Sequence, residues 1–180
     1  LSIAKTLVEL MNGRIWFKSE EGTGSVFHFS ARLHIQPGSE EGGAGRYALG
    51  AYKNKRMLVV DDNELALQIA SNTVAALGPR VHVARGGRQA MELVARARED
   101  GAPFDLLLLD WKMPDMDGLE TLRNLRRMPT EQVPKIVIVT AHGREDFLDA
   151  AQQAGVAPDD VLVKPLTMSL LNDTFAALLA

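Results

Sequence analysis

The apolar positions of this chain change period along its length, and the changes mark its organisation. Ile3, Leu7 and Leu10, with Ala4, Val8 and Met11, recur at helical spacing, and Asn12-Gly13 predicts the helix end. From Arg14 to Ser19 the pattern alternates, with Ile15 and Phe17 in phase. Glu21-Gly22-Thr23-Gly24 is a turn, and Phe27, Phe29, Ala31 and Leu33 alternate again over Val26 to Leu33. One helix and one hairpin rarely bury enough apolar surface for a stable core. Residues 1–33 are therefore expected to close a larger α+β domain, and a start within a helix, without methionine, suggests an excised piece. Residues 34–55 form a linker: Gln36 to Gly45 has no periodicity and is rich in glycine, while Tyr47, Leu49 and Tyr52 could pack on either neighbour.

Residues 56–180 alternate between short apolar runs and helical stretches. Met57–Val60 is a strand. A helix follows, with Leu65, Ile69, Thr73 and Leu77 as its inward stripe and Gly78 as its stop; a second stripe of Leu67, Ala70 and Val74 faces solvent or is buried by the sheet. Val81–Ala84 is a second strand, and Arg88 to Asp100 a helix with Met91, Val94 and Ala95 inward. Phe104 and the four leucines Leu106–Leu109 read as a strand buried on both faces. A helix is predicted over Gly118 to Met128, a strand over Lys135–Val139, a helix over Glu145 to Ala154, a strand over Val161–Val163, and a last helix over Met168 to Leu179. Five strand–helix pairs in about 125 residues predict an α/β fold, an open parallel doubly wound sheet with right-handed crossovers.

Composition narrows the function. With 46% hydrophobic and 24% charged residues the chain can bury a core, and a net charge of −3 offers nothing to nucleic acid or an anionic membrane. The absence of cysteine excludes disulfides, thiolate metal sites and cysteine nucleophiles, and permits a reducing cytoplasm. No apolar run reaches the roughly 18 residues of a membrane span, and Lys5 and Glu9 interrupt anything like a signal peptide.

The polar residues that end the strands carry the chemistry. Asp61 and Asp62, Asp110, Thr140 and Lys164 each sit at the carboxyl end of an apolar run, where open parallel sheets bind ligands. Three carboxylates converging there repel one another by roughly 4 kcal/mol per pair at about 4 Å and an effective dielectric near 20. Protons or a divalent cation must relieve that, and Mg2+, with Mn2+ as substitute, suits few carboxylates and several waters. Asp115 and Asp117 read as loop residues, and Gly118 as a turn glycine with positive φ. His28, His34 and His82 stand alone; His142 flanks the cleft with Lys112, where it could orient or exclude water.

This constellation, with Met113-Pro114-x-x-Asp117-Gly118 and Lys164-Pro165, resembles the receiver domain of two-component response regulators over residues 56–180. The resemblance implies a flavodoxin-like strand order 2-1-3-4-5. It implies Mg2+ on Asp62, Asp110 and the backbone carbonyl of Lys112, with Asp61 acting directly or through water and Asp110 as phosphoacceptor. Lys164 and Thr140 would meet phosphoryl oxygens, and Lys164-Pro165 would be cis. Phosphotransfer partners would dock on the helix after Asp62. Receivers that remodel an output surface usually carry an aromatic residue where this chain has Val161, which implies a relay element.

The N-terminal wording, Leu-Ser-Ile-Ala-Lys-x-Leu-Val-Glu-Leu-Met-x-Gly-x-Ile followed by Ser-x-x-Gly-x-Gly-Ser-x-Phe-x-Phe, resembles the closing part of the ATP-binding domain of sensor histidine kinases. The segments of that family that hold ATP all precede this point. Ser2 and Thr6 alone bind nothing, and Gly22-x-Gly24 is a turn. Together the two resemblances imply residues 1–33 as the remnant of a hybrid sensor histidine kinase, residues 34–55 as linker and 56–180 as its receiver. The parent could be membrane-anchored and this portion cytoplasmic. The phosphodonor would be a phosphohistidine on the kinase or on a histidine phosphotransfer protein, and the only catalysis here would be Asp110's own phosphorylation and dephosphorylation. A receiver-like scaffold that is never phosphorylated is the alternative. A metal-dependent phosphatase is less well supported, because no substrate-pocket motif accompanies the cluster.

Overall fold

The computed structural model describes residues 2–33, 50–129 and 133–179. The glycine-rich linker, Tyr47, Leu49 and His34 lie outside the described residues. The chain divides into two compact units on either side of Gly43 and Ala44.

In the first unit, helix α1 (Ser2–Leu10) ends at Asn12, whose φ of 52° is left-handed. Strands β1 (Arg14–Glu20) and β2 (Gly24–Ser30) pair antiparallel, Arg14 opposite Ser30 and Glu20 opposite Gly24. The second strand was expected to begin at Val26 and run to Leu33. It begins two residues earlier and stops at Ser30, because β1 starts at Arg14 opposite Ser30; beyond it the Arg32 N–H donates to the Met11 carbonyl at 2.9 Å instead of to a strand. Among the described residues of this unit only Val8 is buried, while Ile3, Leu7, Leu10, Phe17, Phe27 and Phe29 are exposed.

The second unit is a five-stranded parallel sheet of order β4-β3-β5-β6-β7, built from β3 (Arg56–Val60), β4 (Arg80–Ala84), β5 (Leu106–Asp110), β6 (Lys135–Thr140) and β7 (Asp160–Val163). That is the expected 2-1-3-4-5 order. Five helices alternate with the strands: α2 (Glu64–Ala75), α3 (Gly87–Glu99), α4 (Gly118–Arg126), α5 (Arg144–Gln153) and α6 (Met168–Leu179). Strand side chains point alternately to the two faces, so each strand feeds two cores. Leu58, Val60, Leu107, Leu109, Ile136 and Ile138 join α3, α4 and α5 on one face. Met57, Val59, Leu106, Leu108, Val137 and Val139 join α2 and α6 on the other. Leu106 to Leu109 are all within 1% of fully buried, each worth about 1.5–3 kcal/mol relative to exposure.

Two helix faces differ from expectation. In α2, Leu67 and Val74 are buried whereas Leu65 and Ile69 are exposed. Both stripes are apolar; of the stripe expected through Leu65, Ile69, Thr73 and Leu77 only Leu77 is buried, and it joins Leu67 and Val74 against the sheet. In α3, Ala90, Val94 and Ala97 are buried, with Met91 only partly so: a small-residue face lets the helix lie close to β4 and β3. Tyr52 belongs to this unit. It is buried against Phe175, ring centroids 5.5 Å apart and edge-on at 84°, and its hydroxyl donates to the Asn172 carbonyl at 3.3 Å.

Candidate functional site

The carboxyl ends of β3, β5, β6 and β7 converge, and backbone hydrogen bonds carry the sheet's register one residue into the loops. The Asp61 N–H donates to the Ala84 carbonyl at 3.2 Å, Trp111 N–H to Val139 at 2.9 Å, and Lys164 N–H to Thr140 at 2.8 Å. Asp61, Asp110 and Thr140 are thereby held at the sheet edge, with 5%, 8% and 1% exposure respectively, while Asp62 is exposed. One carboxylate oxygen from each of Asp61, Asp62 and Asp110 lies within 4.8 Å of the others. The Lys164 ammonium bridges two of them, 2.7 Å from Asp61 Oδ2 and 2.6 Å from Asp110 Oδ1. The Lys164–Pro165 peptide bond is cis. A cleft of about 300 Å3 opens over the group, with Lys112, Thr140 and His142 also on its walls.

All five strand-end residues singled out in the sequence are thus brought together, and Lys112 and His142 border them. Burial pushes the Asp110 carboxyl above the ordinary carboxylate range. The hydrogen bond and charge of Lys164 oppose that rise, and the charges of Asp61 and Asp62 add to it. Burial alone would lower the Lys164 ammonium, but the hydrogen bonds and charges of Asp110 and Asp61 outweigh it and hold the group protonated to higher pH. A buried carboxylate that favours its proton, crowded by two more, is a donor set in need of a second cation. Three hard oxygen donors at this spacing fit a hard divalent ion.

The loops complete the frame. Asn63 caps α2 by accepting the Ala66 N–H at 3.0 Å, and Asp61 Oδ1 accepts the Asn63 N–H at 2.9 Å, so the helix cap and the site share one hydrogen-bond chain. Asp117 caps α4 through the Glu120 N–H at 2.8 Å. Asp115, at φ 66°, takes the left-handed turn position that had been expected of Gly118. Gly118 is needed for closeness instead: a Cβ there would lie 2.3 Å from the Asp110 carbonyl oxygen. Thr140 Oγ1 accepts the His142 N–H at 2.9 Å. Sequence reading passed over Trp111. Its ring has the Lys112 ammonium 4.0 Å from its centroid and meets His142 and Phe147 edge-on; a lone aromatic after a polar strand end carries no periodic signal.

A parallel doubly wound sheet with an acidic cluster, a threonine and a lysine at its carboxyl edge defines a receiver-type protein. The model of the response regulator receiver domain matches residues 57–176, and the chain belongs to that family. Over 183 residues it is 32% identical to the aerobic respiration control sensor protein ArcB of Escherichia coli, covering 96% of this chain and 21% of that protein. It is 29% identical over 205 residues to the sensory/regulatory protein RpfC of Xanthomonas campestris pv. campestris, covering 98% and 27%. The chain therefore spans about a quarter or less of these relatives. Among solved structures, the receiver domain of the histidine kinase CKI1 from Arabidopsis thaliana, complexed with Mg2+ and BeF3-, is similar at 30% identity and TM-score 0.55, covering 70% of this chain and 90% of that one. The Vibrio cholerae chemotaxis protein CheY4 is similar at 27% identity and TM-score 0.57, covering 69% and 98%. Among the described residues no helix is long and apolar enough to cross a membrane.

Proposed function

We propose that this chain is the phosphoacceptor portion of a hybrid sensor histidine kinase, taking a phosphoryl group from phosphohistidine onto Asp110. The observation that carries the reading is the Lys164 ammonium shared between Asp61 and Asp110 beside a third carboxylate. Asp61, Asp62, Asp110 and the Lys112 carbonyl would hold Mg2+, which neutralises charge on the transferring group. An Asp110 carboxylate oxygen attacks phosphorus and the imidazole nitrogen leaves, so the histidine recovers its lone pair and the acceptor becomes an acyl phosphate. Lys164 then exchanges its contact with Asp110 for a phosphoryl oxygen, and the Thr140 hydroxyl, already fixed by the His142 N–H, donates to another. Lys112 and His142 stand where water would approach.

The donor would dock beside α2. There an apolar groove of about 240 Å3 runs past Ala66, Ile69 and Ala70 to Pro165 and Leu166, next to the Asp61–Lys164 pair, and the exposed Leu65 and Ile69 extend it. A phosphohistidine presented on an amphipathic helix matches an apolar strip that ends at a cation and an acceptor. Residues 1–33 are read as the closing part of the kinase ATP-binding domain, whose remaining strands would cover the exposed faces of β1 and β2. Residues 34–55 are read as linker, with its closing residues packed on the receiver unit through Tyr52, and this portion of the parent works in the cytoplasm.

Intact-protein mass after incubation with acetyl phosphate and Mg2+ tests the reading. One phosphoryl group is expected on the native chain and none on Asp110→Asn. A native chain that gains no mass would favour the scaffold alternative, and labelling that survives in the variant would remove Asp110 as acceptor.

A further inference from the structure

The cleft contains a charge problem that its carboxylates and Lys164 do not explain. Asp61, Asp62 and Asp110 bring three negative charges and Lys164 one positive, leaving two negative for an incoming divalent cation. Lys112 borders the same cleft only two residues after Asp110. A second ammonium on the carboxylates would leave one negative charge and compete directly with the metal. It is held elsewhere: Lys112 Nζ lies 4.0 Å from the centroid of the Trp111 ring, within the roughly 6 Å over which a ring face attracts a cation.

The ring itself is anchored. Trp111 is 7% exposed and meets Phe147, itself fully buried, edge-on at 5.2 Å and 89°. The Trp111 backbone N–H, donating to the Val139 carbonyl at 2.9 Å, fixes the main chain from which the ring projects. His142, which also lines the cleft, meets the same ring edge-on at 5.9 Å and 75°. One buried indole therefore touches both of these exposed side chains at the cleft.

We propose that Trp111 is a positioning residue that parks the Lys112 ammonium off the carboxylate cluster and so preserves the cleft's affinity for a divalent cation. The proposal rests on the reading of the cleft as a Mg2+-assisted phosphoacceptor site. Lysine has a flexible four-carbon stem. Without the indole, the strongest attraction within its reach is the cluster of Asp61, Asp62 and Asp110.

The test is a Mg2+ titration of the full chain followed by backbone amide NMR, with Trp111→Leu, Lys112→Met and the double variant beside the native protein. An exposed cation–ring contact corresponds to a factor of about two to five in population, so Trp111→Leu is expected to weaken Mg2+ binding by that factor. Lys112→Met keeps the backbone carbonyl and serves as the reference for the double variant, which should bind Mg2+ as Lys112→Met does and more tightly than Trp111→Leu. Native-like binding by Trp111→Leu overturns the proposal, and so does a double variant as weak as Trp111→Leu, which would assign the loss to packing. Should Trp111→Leu lose its dispersed amide spectrum, Lys112→Met decides: tightening of tenfold or more would show that the ammonium already occupies the cleft. A native chain that binds no Mg2+ would sink the phosphoacceptor reading itself, an outcome distinct from equal binding by native and Trp111→Leu.

Discussion

At Gly118 a single hydrogen atom decides how closely the loop after β5 returns to its strand. The Gly118 N–H donates to the Trp111 carbonyl at 2.8 Å, and a Cβ would meet Asp110 O at 2.3 Å and Trp111 Cα at 3.0 Å. These are backbone atoms of a buried strand end and cannot yield as a side-chain tip can. Gly118→Ala is expected to cost about 1–3 kcal/mol, as overpacking does, seen as a lower urea midpoint with unchanged slope; an unchanged midpoint would show that the loop has slack. Asp159 acts at the other end of the sheet. Burial pushes its carboxyl up, but the Ile136 N–H at 2.8 Å, Arg126 at 2.6 Å and Lys135 at 3.3 Å outweigh that and hold it below the ordinary range. A depressed folded value means that the unfolded chain takes up the proton first. The stability from Asp159 is therefore full above its unfolded pKa of about 3.9, and is lost as pH falls through the lower folded value. Asp159→Asn should cost about 1–3 kcal/mol at neutral pH, and the gap to the native protein should close on acidification below about pH 4. A gap independent of pH would mean that the loss is one of shape and not of charge.

Among the elements, strands were the more legible. Leu106–Leu109 and Ile136–Val139 are buried on both faces, so each appears as an unbroken apolar run, and the polar residue that stops each run marks the crevice. The site was legible for the same reason: Asp61, Asp110, Thr140 and Lys164 are conspicuous as the first polar residues after such runs. Helix phase was not legible in α2. Leu65 and Ile69 have the same apolar character as Leu67 and Val74, and only the sheet's position selects between them. That choice changes what can be tested. Val74 is fully buried, so an aspartate there would disrupt the core, whereas Ile69 is 57% exposed on the groove beside Lys164. Ile69→Asp is expected to slow transfer from a phosphohistidine donor about tenfold, the effect of losing roughly 1.4 kcal/mol of docking energy, and to leave phosphorylation by acetyl phosphate unchanged. Equal slowing with both donors would place the damage in the site and not in docking.

For the molecule as a whole, the question is whether a change at Asp110 reaches a distant surface. Thr140 joins β6 to the loop before α5 and bonds β7 through the Lys164 N–H, and beside it Val161 is 1% exposed in the core formed with Ile138 and Phe147. Valine has one stiff torsion and no ring to exchange between a buried and an exposed position. The Arg144 guanidinium donates to the Val161 carbonyl and to Asp160 Oδ1, the latter at 2.8 Å, so α5 is fastened to β7 irrespective of Thr140. A ligand moves an equilibrium only by its differential interaction with the two states. Here the β7 face offers little differential packing with which to drive one. The receiver unit, residues 50–180, is therefore expected to sediment as a monomer with and without beryllofluoride and Mg2+, as suits an element that passes its phosphoryl group onward. A shift to dimer on addition of the phosphoryl mimic would show that the site reaches the α5–β7–α6 face by a route that needs no aromatic ring at Val161.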